Sequence, residues 1–204
     1  KGVRRGEQGR VDGRVHGRVH LVRNAIAAPP SPLSRHEART ALKLPANGPL
    51  VGWVGRLSHE KGPDLFLDSM ERTSPQVHAA VLGEGPMSEG LRERVRSGVL
   101  AERVHFCGGV AGASRYLAAF DALALSSRTE GTPMILLEAM ICDIPIVTAM
   151  VGGIPDVLSS DEAWCCPPGD TPAMAEAITQ VVLRPEEAME KAKRAAVRVQ
   201  RDFS

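Results

Sequence analysis

From Asn47 onward, short apolar runs alternate with amphipathic stretches. The runs predict strands at 50–55, 77–83, 104–107, 122–126, 145–149 and 163–166. The stretches between and after them predict helices at 62–70, 87–98, 114–120, 133–140, 171–183 and 185–201, with a single helical turn at 153–158. Several strands lack polar alternation, as in Ile-Pro-Ile-Val-Thr at 144–148, which fits strands covered on both faces. Strand and helix in strict turn make βαβ units with right-handed crossovers. The expected fold class is therefore α/β: a Rossmann-like open parallel sheet with helices on both faces. Such sheets bind ligands outside the carboxyl ends of their strands. This directs attention to the loops 55–62, 83–87, 107–113, 127–133 and 149–154.

The 204 residues suffice for one well-cored domain, and no domain boundary is read after Asn47. A net charge of +1 gives no support to nucleic acid as a partner, and 3% aromatic residues are too few for a base-stacking platform. No run of eighteen apolar residues is present. Cys107, Cys142, Cys165 and Cys166 form no CxxC pair and read as free, buried thiols; no metal site is expected. Residues 1–23 stand apart: Lys1 and six arginines face only Glu7 and Asp12. They read as a basic linker or disordered lead-in, or as a basic arm for an anionic surface or partner. The first residue is Lys1, not Met, so the sequence reads as a piece of a longer protein.

The segment Gly55-Arg-Leu-Ser-His-Glu-Lys-Gly62 leaves the first strand and opens a helix. Arg56 offers a rigid donor fork and Lys61 a mobile point charge. With helix N-terminal N–H groups they suit a diphosphate; an ordinary polar loop is the alternative. The segment is neither a dinucleotide fingerprint nor a Walker A loop. In Ser126-Ser-Arg-Thr-Glu-Gly-Thr-Pro-Met-Ile-Leu-Leu-Glu-Ala-Met140, Thr132 is expected to cap a helix whose first position is Pro133. Glu130 precedes that helix. Glu138 interrupts its apolar run, so it either faces solvent or accepts hydrogen bonds from the vicinal hydroxyls of a ribose. Glu130 would then meet a second sugar, with a phosphate between the two. Gly152 and Gly153 allow close backbone approach to a ligand, or form a simple turn. The 83–86 loop reads as mainly structural, and Gly108–Gly109 is left open.

Taken together, these segments resemble the C-terminal, donor-binding domain of a GT-B glycosyltransferase of the retaining family-4 type, the glycosyl transferases group 1. The resemblance covers residues 22–204. It rests on Arg23-Asn24-Ala25-Ile26, Val54-Gly55-Arg56-Leu57, Lys61-Gly62, Gly83-Glu84-Gly85-Pro86, Glu130 paired with Glu138, and Gly152-Gly153-Ile154-Pro155. It implies that the chain is the donor-binding half of an enzyme that transfers a hexosyl group from an NDP-sugar with retention. Arg56 and Lys61 would hold the diphosphate and stabilise the departing charge. Glu138 would bind the ribose hydroxyls, and Glu130 would contact the transferred sugar without acting as a firmly identified nucleophile. The backbone around Thr132, Pro133, Met134 and Ile135 would reach phosphate or sugar, and Gly108, Gly109 and Val110 would lie against the nucleobase.

No cofactor beyond the donor substrate and no metal is implied. The implied partners are a carbohydrate, lipid-linked or small-molecule acceptor and an N-terminal GT-B domain that is not part of this sequence. The expected location is the cytoplasm, with the inner face of a membrane as the alternative. A non-catalytic remnant of the same fold is the competing reading; an epimerase or a glycogen/starch-type synthase is a further one. Three departures from the family pattern stand out. Arg23 and Ala25 replace a proline and a glycine, Gly-Thr-Pro replaces a longer Gly-Phe-Gly-x-Pro form, and Asp143 stands where glycine is common.

Overall fold

The computed structural model describes Ile26 and residues 31–203; the basic segment 1–23 and Arg23-Asn24-Ala25 lie outside the described residues. Six strands are present: β1 Leu50–Val54, β2 His78–Leu82, β3 Val104–Gly108, β4 Ala122–Leu125, β5 Ile146–Ala149 and β6 Trp164–Cys166. They form one parallel sheet in the order β3-β2-β1-β4-β5-β6. Chain order reverses between β1 and β4, which makes their carboxyl ends the switch point of the sheet.

The helices are α1 Arg35–Ala41, α2 Pro63–Met70, α3 Ser88–Ser97, α4 Met134–Ile141, α5 Ile154–Val157, α6 Thr171–Leu183 and α7 Pro185–Asp202. Two 3-10 segments, His59–Lys61 and Ala113–Ala119, complete the described elements. Phe106 and Cys107, neighbours on β3, show the two faces. Arg92 of α3 lies over the Phe106 ring, while the Cys107 thiol points at the Leu42 carbonyl beyond α1. Helices α2 and α6 pack together, and α4 packs on the Ala113–Ala119 segment and on α7. Val51, Trp53, Leu82, Leu123 and Val147 are buried on the strands, and Leu136 and Leu137 bury one side of α4. The continuous apolar runs of the sequence are thus strands covered on both faces.

The polar region before Asn47 contains a helix that apolar periodicity does not reveal. Ser34 and Glu37 form a reciprocal capping box at the start of α1. Arg39 of this helix is 1% exposed. Its guanidinium donates to the carbonyls of Ala119, Pro45, Ala46 and Gly48 and to Asp121, whose carboxylate also accepts the Leu50 N–H. An arginine so placed satisfies several buried acceptors at once and fastens α1 to the sheet.

The four cysteines are free; Cys166 is buried and the others half-buried. Burial pushes the Cys107 thiol up to about 11 and the Cys166 thiol up to about 12, so both are inert at neutral pH. No helix among the described residues is long and apolar enough to cross a membrane.

Candidate active site

The chain leaves β1 at the switch point through Gly55, Arg56, Leu57 and Ser58 and enters the turn His59–Lys61. Gly62 ends this turn at φ +62°, and an added Cβ there would lie 2.2 Å from the Ser126 carbonyl oxygen. Only glycine permits this contact, which brings the loop after β1 against the loop after β4. A buried relay strengthens the junction: Trp53 Nε1 donates to Ser126 Oγ at 3.1 Å, and Ser126 Oγ donates to the Gly62 carbonyl at 2.6 Å.

Lys61 and Glu130, far apart in sequence, meet here. Lys61 Nζ lies 2.7 Å from Oε1 and 2.8 Å from Oε2 of Glu130, and Ser127 Oγ donates to Oε1 at 2.7 Å. The Glu130 side chain is 6% exposed and that of Lys61 36%. Arg128 ties the same two loops together. It grips Asp64 of α2 and donates to the His59 carbonyl, while its own N–H reaches the Glu60 carbonyl at 2.8 Å.

Arg56 is exposed and borders a cleft of about 290 Å³; a hydrogen bond from Ser58 and, more weakly, the Arg56 charge hold the Glu60 carboxyl below the ordinary glutamate range. Gly109, Val110, Glu84 and Ala113 form the facing wall. The wall is set by Gly108 at φ +74° and by Glu84, whose carboxylate accepts the Gly109 N–H at 3.3 Å. Gly83 and Gly85 press on the carbonyls of Gly55 and Leu57. The 83–86 loop therefore braces the Arg56 loop, the structural part expected of it. A larger groove of about 810 Å³ lies past Gly109 and Val110, beside β3.

Glu138 is half-buried on α4. Burial raises its carboxyl above the ordinary glutamate range, opposed by a hydrogen bond from Ser114. It therefore does not simply face solvent. At the start of α4 one expectation is corrected. Thr132 makes no cap; Pro133, with extended backbone, occupies the N-cap position and Met134 opens the helix. A proline has no side-chain acceptor, so this helix start has no side-chain cap among the described residues. Met134 is exposed and Ile135 half-buried at this end.

Gly152 and Gly153 approach protein backbone. An added Cβ on Gly152, at φ +53°, would lie 1.8 Å from the Glu130 carbonyl oxygen, and one on Gly153 would lie 2.5 Å from that of Gly131. Their tight turn carries the Glu130 loop from below, and Gly153 N–H donates to the Glu130 carbonyl at 3.2 Å. The structure thus gathers Lys61, Glu130, Gly152 and Gly153 at one point, while Arg56, Gly109 and Val110 line the cleft. Sequence reasoning missed Ser127, Asp64 and Arg128. Ser127 stands three residues before Glu130, a local spacing that was available; Asp64 and Arg128 carry no local signal.

The family pattern described as Glycosyl transferases group 1 matches residues 48–183. The chain belongs to this family. It is 36% identical over 162 residues to 2-deoxystreptamine N-acetyl-D-glucosaminyltransferase of Streptomyces fradiae, covering 74% of this chain and 38% of that protein. It is 30% identical over 174 residues to D-inositol 3-phosphate glycosyltransferase of Saccharomonospora viridis, covering 76% and 39%. The chain thus spans about two-fifths of the length of these curated relatives. Among solved structures it superposes on Anabaena Alr3699/HepE in complex with UDP-glucose with a TM-score of 0.77, at 28% identity, over 83% of this chain and 48% of that one. The Rossmann-like half of a GT-B glycosyltransferase is therefore the architecture of this group 1 chain.

Proposed function

We propose that this chain supplies the donor-binding half of a nucleotide-sugar-dependent glycosyltransferase, which moves a hexosyl group to an acceptor with retention of anomeric configuration. The observation that carries the reading is the meeting of Lys61 and Glu130 at the switch point, with Arg56 exposed on the loop that leads to Lys61. Arg56 and Lys61 hold the diphosphate and stabilise the negative charge that develops as the sugar departs. Glu138 accepts hydrogen bonds from the ribose hydroxyls, and Glu130 contacts the sugar. The backbone at Thr132, Pro133, Met134 and Ile135 approaches phosphate or sugar, while Gly108, Gly109 and Val110 face the base. Gly152 and Gly153 act by holding the Glu130 loop.

On this reading the cations stabilise the leaving group, and no cofactor or metal is needed for the step. A second Rossmann-like half supplies the acceptor site, and the work is done in the cytoplasm. The solved neighbour bound to UDP-glucose makes uridine nucleotides the first donors to test. The test is calorimetric titration of this chain with UDP, GDP and ADP at one salt concentration. One nucleotide should bind selectively, and Arg56→Ala should weaken it by roughly 10- to 100-fold, as expected for a lost charged hydrogen bond. Equal affinity in parent and variant would remove Arg56 from the diphosphate site. No binding to any nucleotide would favour a non-catalytic remnant.

A further inference from the structure

Glu130 is among the most deeply buried carboxylates of the described chain, with its side chain 6% exposed. Three hydrogen bonds satisfy it: two from the Lys61 ammonium, one to each oxygen, and one from Ser127 Oγ. Lys61 is a third exposed and sits on a flexible stem at the rim of the switch point. An ammonium has three donors, and two are already spent on Glu130. A diphosphate that engages Lys61 fully must draw it from the carboxylate. Glu130 is then left buried with Ser127 alone, an unfavourable state for an ionised group. New donors have to arrive at the carboxylate, and sugar hydroxyls are donors of the required kind.

Resting on the donor reading above, we propose that Glu130 is a specificity-determining residue that acts by ion-pair exchange. The diphosphate takes Lys61, and the hydroxyls of the attached sugar replace Lys61 on Glu130. A nucleotide that carries its sugar completes the exchange. A bare nucleoside diphosphate strands the carboxylate and binds more weakly than its phosphate contacts alone allow. After transfer the sugar's hydroxyls leave, Glu130 reclaims Lys61, and the diphosphate product is released. The ion pair thus discriminates donor from product at one site.

The test is a double-mutant cycle read by calorimetry with UDP and UDP-glucose, repeated with GDP and GDP-mannose and with ADP and ADP-glucose. Glu130→Gln should bind the bare diphosphate about tenfold more tightly than the parent, since Lys61 is released. The preference for the sugar-bearing nucleotide should shrink by a similar factor. In a Lys61→Met background the gain from Glu130→Gln should vanish, because no cation remains to be freed. A gain of the same size without Lys61 would mean simple charge repulsion by Glu130 and would overturn the exchange. An unchanged or weakened diphosphate affinity in Glu130→Gln would also overturn it. If Lys61→Met alone leaves diphosphate affinity intact, the donor reading of Lys61 fails, and the exchange fails with it. Should Glu130→Gln not fold, Ser127→Ala reads the same device in the opposite direction. With one donor fewer, Glu130 holds Lys61 harder and UDP should bind two- to threefold more weakly; an unchanged affinity would count against the exchange.

Discussion

Arg128 holds Asp64 with both ends of its guanidinium: Nη1 lies 2.8 Å from Oδ1 and Nη2 2.7 Å from Oδ2. The pair crosses from the loop after β4 to the first turn of α2 and encloses the turn that ends in Lys61. It fixes the separation of Lys61 and Glu130 without touching either. The Arg128 hydrogen bonds hold the Asp64 carboxyl below the ordinary aspartate range. A group so shifted contributes stability above its unfolded pKa of about 3.9 and loses it as pH falls through the lower folded value. Asp64→Asn should therefore cost about 1–2 kcal/mol at pH 7. It should also flatten the fall of stability below about pH 4. Chemical denaturation across pH reads both; an unaltered acid limb in the variant contradicts the clasp.

Glu138 shifts the other way. Burial raises its carboxyl, so the ionised form lowers stability: the contribution is present below the unfolded pKa and is lost as pH rises through the raised folded value. Glu138→Gln should leave stability at neutral pH unchanged or slightly higher. On the proposed ribose role, binding behaves oppositely, because the ionised carboxylate is the better acceptor for ribose hydroxyls. Nucleotide affinity should fade on acidification at a higher pH than an ordinary glutamate dictates, and Glu138→Gln should remove that limb. Pyrophosphate, which has no ribose, should bind parent and Glu138→Gln alike at every pH, its own protonation setting the only acid limb. Calorimetric titration over a pH series with both ligands checks this.

Gly152→Ala forces a Cβ to within 1.8 Å of the Glu130 carbonyl oxygen, in a left-handed backbone. Backbone cannot yield as a flexible side chain does, so the Glu130 loop must move. A loss of about 2–3 kcal/mol is expected, with weaker binding of a sugar nucleotide. Gly131→Ala is the control, since an added Cβ there meets nothing within 4 Å. Thermal melts and titrations of both variants make the comparison.

Asp143 lies at φ +53°, just past the end of α4. This explains why glycine suits the position and why aspartate, which tolerates the left-handed region, can stand there. Asp143→Gly should stabilise the chain by about 0.5–1 kcal/mol and leave nucleotide binding unchanged, as read from melting and titration.

Much of the fold was legible because its strands are buried on both faces. Runs such as Leu-Val-Gly-Trp-Val at 50–54 need no polar positions, and their five-residue length between turn signals favours a strand over a buried helix. Lys61 and Glu130 were read as candidates from their place in loops at the carboxyl ends of strands, but their ion pair joins positions 69 residues apart and carries no local signal. What could not be read depends on contacts distant in sequence. Arg128 and Asp64 are separated by 64 residues, and Arg39 satisfies carbonyls on both sides of β1. Helix α1 has only seven residues, too few for apolar periodicity, although its Ser34–Glu37 capping box stood in the sequence. Thr132 failed as a cap because local preference ranks threonine above proline there, whereas the loop built around Glu130 places Pro133 at the boundary.

On the proposed reading, one nucleotide sugar lies across the β1–β4 switch point. A crystal structure of this chain with UDP-glucose, or with whichever donor binds in calorimetry, tests it most directly. The diphosphate should lie on Arg56 and Lys61, the ribose hydroxyls on Glu138, and the sugar on Glu130 with the Lys61–Glu130 contact opened. A nucleotide lodged instead in the groove beside β3, with Lys61 still paired to Glu130, would contradict it.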